Sequence, residues 1–179
     1  MHFAFVSGNP ALDLVATVES RRDRPHELLA TPADLEQWVT ACEELPDHVT
    51  ADSAALVRAH QLREAVHRLA LDRIQGRSYE AACLDVLNDA AAGPPPVLHL
   101  SDAGVRRTGD LTSALAHVAR RAITLLADPD ACLKECGRPS CTRLYLDRSR
   151  GTRRTWCGMQ ACGNRVKAAA YRARKHAAP

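Results

Sequence analysis

Cys136-Gly-Arg-Pro-Ser-Cys141 is followed, after fifteen residues, by Cys157-Gly-Met-Gln-Ala-Cys162. The pattern is C-x4-C-x15-C-x4-C, two matched pairs separated by a length that suits a hairpin. Thiolate is a favoured soft donor for Zn²⁺, which takes four ligands at tetrahedral corners. A four-residue gap lets the chain fold back so that both sulfurs of a pair reach one ion, and Gly137, Pro139 and Gly158 suit such turns. Between the pairs, Thr142–Asp147 and Arg153–Trp156 are expected to form two strands, with Ser149–Gly151 in the turn. Beyond the second pair, Asn164–His176 is rich in Ala, Arg and Lys and reads as a helix. Cys162 would then stand at that helix's N-terminus, where the positive end of the dipole favours a thiolate.

Knuckle, hairpin and ligand-bearing helix start together predict a treble-clef-like, four-cysteine finger holding Zn²⁺ on Cys136, Cys141, Cys157 and Cys162. An iron–sulfur cluster also takes four cysteines, but two symmetrical pairs across a hairpin fit zinc better. Cys132 can replace Cys136 only by breaking the pair symmetry, so it reads as a bystander. Four cysteine ligands leave zinc no open coordination position, so catalysis at the metal is not expected.

The 179-residue chain is 46% apolar and 25% charged, with a formal net charge of +3, which fits a domain of ordinary size plus a small appendage. That near-neutral total conceals two opposed halves. Residues 1–133 carry 12 Lys/Arg against 19 Asp/Glu, a formal −7. Residues 134–179 carry 12 Lys/Arg and only Glu135 and Asp147 as acids, a formal +10. An odd number of cysteines, seven, without an export signal argues for a metal site over a disulfide framework. The N-terminus lacks a basic n-region and no apolar run approaches the ~20 residues of a membrane helix, so a cytoplasmic location is expected.

The acidic part reads as a mainly helical (α+β) domain over 1–130, with the finger over 131–179. Phe3–Val6 is strand-like, Gly8-Asn9-Pro10 is a turn signal, and Leu12–Val18 is a strand or an early helix. Thr31-Pro32-Ala33-Asp34 has the form of a helix start, followed by Leu35, Trp38, Val39 and Cys42 at helical spacing. A long helix is expected from about Ala51 to Gln75 with Leu62, Val66, Leu69 and Ile74 inward, and Ser78 can cap the next one. Val97–Leu100 and Val105–Thr108 flank Ser101-Asp102-Ala103-Gly104 as a β-hairpin. Asp110 can cap a helix that Asp128-Pro129 ends. His60, His67 and His117 read as structural, and Cys42 and Cys83 as core residues. No Gly-rich phosphate loop, H-E-x-x-H or recognisable nucleophile is present, so an enzyme is not expected.

Four thiolates around Zn²⁺ leave the basic part strongly positive. Arg148, Arg150, Arg153 and Arg154 lie on or beside the predicted hairpin; Arg165, Lys167, Arg172, Arg174 and Lys175 decorate the helix. Cations on rigid elements suit a phosphate backbone, with helix side chains within reach of base edges in a major groove. Tyr145, Trp156 and Tyr171 are few for stacking unpaired bases, which favours duplex DNA over single-stranded RNA. The competing reading is a basic surface that docks on an acidic partner or on the chain's own body. Asn164 reads as a structural residue at the helix start; Arg165 reads equally as a base or phosphate contact or as a partner of Asp147.

Cys162-Gly163-Asn164-Arg165 resembles the signature of the CGNR zinc-finger family, and Tyr145-Leu-Asp-Arg-Ser-Arg150 and Arg154-Thr-Trp-Cys157 match the same pattern. Gly8-Asn-Pro-Ala-Leu-Asp-Leu-Val-Ala-Thr17, Glu27-Leu28-Leu29 and Thr31-Pro-Ala-Asp-Leu35 are similar to the ABATE domain that usually precedes that finger. The resemblance implies a bacterial, stress-induced transcription regulator with zinc on the four cysteines named above. Gly151 and Thr155 stand where family members often carry Asn and Arg, and Ala16 replaces a common Asn. The expected function is a zinc-containing DNA-binding regulator, a homodimer whose N-terminal domain senses a small-molecule effector, dimerises or does both. The alternative is a zinc-stabilised protein–protein interaction module.

Overall fold

In the computed structural model, residues 3–177 are described. The chain opens with a short helix, α1 (Pro10–Val15), every residue of which is buried. Asn9 starts it: its side-chain oxygen accepts the Ala11 N–H, Pro10 occupies the first turn, and its amide donates to the Arg121 carbonyl at 3.2 Å. Gly8-Asn9-Pro10 is therefore a helix start, and Leu12–Val15 resolves as helix. Phe3–Val6 does not form the expected strand. Among the described residues the ladder-like contact nearby is the Leu146 N–H on the Ser7 carbonyl, while the carboxylate of Asp13 takes the Val6 and Ser7 N–H groups.

A minimal ribbon, β1 (Val18–Glu19) with β2 (His26–Glu27), leads to α2 (Pro32–Ala41). Thr31 and Asp34 make a reciprocal capping box there, as their spacing predicts. The long helix α3 (Ser53–Ile74) is capped by Asp52 and buries Leu62, Val66 and Leu69; Ile74, its last residue, is exposed. α4 (Ala81–Ala91) follows Glu80 with no side-chain cap, so Ser78 does not serve as one. Cys83 and Leu84 on it are half-buried against the core and Leu87 is fully inside. β3 (Val97–Ser101) and β4 (Gly104–Thr108) form the expected hairpin, with Leu98, Leu100 and Val105 open to solvent. Asp110 caps α5 (Leu111–Ala127), which packs with α1, α3 and α4.

The last part adds β5 (Leu133–Glu135), β6 (Leu144–Leu146), a π-type turn over Met159–Gly163 and α6 (Asn164–Ala177). Leu144 and Leu146 belong to the core of the helical body, whereas Tyr145 joins the four finger cysteines in a second cluster. Alternation along a strand thus places three consecutive side chains in two cores. The strand pairing differs from expectation. β6 pairs antiparallel with β5, upstream of Cys136, and not with Arg153–Trp156.

Leu144 is completely buried, and Leu144→Ala should destabilise the protein by about 2–5 kcal/mol, read as a lower urea midpoint of the helical circular dichroism. Asp13 gives a second test. Burial pushes its pKa from 3.8 up to about 6, so its contribution to stability is full below the lower value and lost as pH rises through the higher one. Across that window the wild type should lose on the order of 2–3 kcal/mol relative to Asp13→Asn in denaturation at matched pH.

Candidate metal centre

The sulfurs of Cys136, Cys141, Cys157 and Cys162 all lie within 4.8 Å of one another, and all four residues are buried. A tetrahedron of Zn–S bonds of ~2.3 Å has edges of about 3.8 Å. The Cys141–Cys157 and Cys157–Cys162 edges measure 3.9 and 3.6 Å. The donor set fits a four-coordinate metal ion with no position left for solvent.

Local geometry explains how the two pairs converge. In the first knuckle Cys136 N–H donates to the Arg143 carbonyl and Cys141 N–H to that of Arg138, at 2.9 and 2.8 Å. Gly137 N–H donates to the Thr155 carbonyl, and a Cβ at this position would lie 2.9 Å from Thr155 Cγ2 and 3.1 Å from its oxygen. Only glycine allows the chain segment before Cys157 to pass so close. The second pair is closed by the π-type turn, where the Cys162 and Gly163 N–H groups both reach the Gly158 carbonyl. Cys162 therefore lies in that turn, just ahead of α6, and burial pushes its thiol up to about 11. The hydrogen bond from the neighbouring Cys157 thiol draws the Cys141 thiol down. A bound metal deprotonates its thiol ligands and releases their protons.

Asp147 organises the connection between the pairs. Its buried carboxylate accepts from Lys134 Nζ at 2.7 Å, from the Ser149 N–H and hydroxyl, and from the Arg154 N–H. Burial alone would raise its pKa; the hydrogen bonds from Lys134 and Ser149 outweigh that and hold the carboxyl well below its usual range. The same bonds curl residues 148–153 around the carboxylate, which is why the expected second strand does not form. Arg165 does not pair with Asp147, because Lys134 occupies that carboxylate. Arg165 and Asn164 are both exposed.

The basic residues separate into two sets. Arg154 turns inward, its guanidinium bonding the Trp156 and Cys157 carbonyls and lying 4.7 Å from the Tyr145 ring centre. Arg148, Arg150, Arg153, Arg165, Lys167 and Arg172 are exposed. The side chains of Arg174 and Lys175 lie outside the described residues. The network that docks the finger was not anticipated: Arg143 pairs with Glu19, and Arg22 with Glu135. Its one sequence signal was that Glu135 and Asp147 are the only acids after residue 133.

Residues 8–129 match the family model named ABATE, described as "Putative stress-induced transcription regulator". The chain belongs to the ABATE family. Residues 133–175 match the CGNR zinc finger, in the order that the motifs imply. No curated protein is significantly similar to this ABATE chain. Among the described residues no helix is long and apolar enough to cross a membrane.

Removing one cysteine decides the ligand set. Cys136→Ser should lose the ion and, in the cobalt-substituted protein, the tetrahedral thiolate absorption bands. Cys132→Ser, whose backbone carbonyl serves Asp147 N–H while its side chain stays outside the cluster, should keep both.

Proposed function

We propose that this ABATE protein is a zinc-containing transcription regulator whose finger contacts duplex DNA. The observation that carries the reading is an uncompensated cationic surface on metal-braced elements. Both acids of residues 134–179 are engaged: Glu135 pairs with Arg22, and Asp147 is buried beneath Lys134. Arg148, Arg150 and Arg153 on the loop after β6, with Arg165, Lys167 and Arg172 on α6, remain exposed and without an ion pair among the described residues. Such a surface suits phosphate contacts, which set affinity and its salt dependence.

In this reading the ion is Zn²⁺ and its role is structural, because a closed four-thiolate site offers no open position for catalysis. The protein acts in the bacterial cytoplasm as a homodimer, since paired modules read longer sites than one small finger covers. The exposed apolar side chains of the β3–β4 hairpin offer the body a surface for that pairing. One observation favours a second reading, a protein-interaction module: the basic finger already meets acids of its own body through Arg143–Glu19 and Arg22–Glu135.

Charge reversal at Arg150, Arg153 and Arg172 together separates the two. Duplex affinity should fall at least tenfold, and the slope of log affinity against log salt should flatten by about 0.9 for each phosphate no longer neutralised, with zinc content unchanged. Equal affinity of wild type and variant in a salt-titrated mobility-shift assay would sink the DNA reading.

A further inference from the structure

A cleft of about 760 Å³ opens where the segment before α1 meets the finger. Its size lies within the roughly 300–1,000 Å³ of small-molecule sites. Phe3, Phe5, Val6 and Met159 supply apolar lining, and the last three remain more than a third exposed, at 37%, 36% and 49%. Three guanidinium side chains, Arg138, Arg143 and Arg165, line the same space. Glu19 is the only acid among the lining residues, and Arg143 takes it.

Arg138 is the decisive residue. Its Nε is sealed from solvent and has no hydrogen-bond partner among the described residues. An anionic oxygen is the strongest partner of a guanidinium, and with Glu19 taken by Arg143 the cleft lining offers Arg138 and Arg165 no carboxylate.

We propose that this cleft binds a small amphipathic carboxylate, its head group on Arg138 and Arg165 and its apolar part against Phe3, Phe5 and Met159. The expected effector site inside the N-terminal domain moves, on this view, to the boundary between body and finger. Because both parts supply walls, an occupant stabilises the docked finger by linkage. This binding goes beyond the DNA reading and does not depend on it.

The test uses the full-length zinc-loaded protein, the fluorescent anion 8-anilinonaphthalene-1-sulfonate as probe, and decanoate as competitor. Decanoate should displace the probe from wild type, and Arg138→Gln and Arg165→Gln should each weaken decanoate by about tenfold. A Leu98→Ser/Leu100→Ser double variant of the exposed hairpin should bind decanoate as wild type does. The proposal is overturned if wild type binds no decanoate, if both arginine variants bind it unchanged, or if the hairpin variant is the one that loses it. Loss of zinc from Arg138→Gln with decanoate affinity intact also overturns it and assigns Arg138 to the thiolates. Should Arg138→Gln fail to fold, the exposed Arg165 variant decides alone. A chain that binds decanoate but no duplex supports the cleft and removes only the DNA reading.

Discussion

Three residues, Leu144-Tyr145-Leu146, join the two halves of the molecule. Strand geometry sends Leu144 and Leu146 into the helical core and Tyr145 to the cysteines. Leu144 and Tyr145 are both fully buried, so neither face can yield without exposing a core. Around this strand the other junction contacts fall into place: Leu146 N–H on the Ser7 carbonyl, Arg143 on Glu19, and Gly8 packed against Leu146. The finger is consequently an integrated part of the fold and not a tethered appendage.

The helical body was largely legible because its signals are local. Thr31, Asp52 and Asp110 each precede an apolar period and each accept a backbone N–H of the first turn. The clustering of the four cysteines was legible for the same reason, as a four-residue gap lets the two sulfurs of each pair approach. What failed was long-range pairing. Thr142–Asp147 and Arg153–Trp156 have the composition of a hairpin, but one buried carboxylate captures the connecting loop, and β5 takes the free edge. No propensity scale weighs a single Asp against a two-stranded ladder. Arg154 shows the same limit from the electrostatic side: one cation in a basic run binds carbonyls and an aromatic face while its neighbours stay in water.

Charge partition follows from that packing. The acidic body and basic finger do not simply attract as two clouds; they meet through Arg143–Glu19 and Arg22–Glu135, and the exposed partners in these pairs contribute little stability. Their effect is to remove acids from the finger's surroundings. Asp147 contributes likewise by being buried. The exposed arginines therefore face solvent without an ion pair among the described residues, and the potential they create is larger than the net +3 of the chain suggests.

The metal completes the dependence on β6. The second core comprises four cysteines and Tyr145, with Trp156 packed against it. So small a cluster buries too little apolar surface to fold alone, and metal binding at such a site is folding free energy. Without the ion, four buried cysteines are left clustered with weak sulfur–sulfur contacts, Cys141 to Cys157 and Cys157 to Cys162, to hold them. Loosening there frees Tyr145, and Tyr145 lies between the two leucines that anchor the strand in the body. Loss of metal is thereby transmitted through one tripeptide to the helical core.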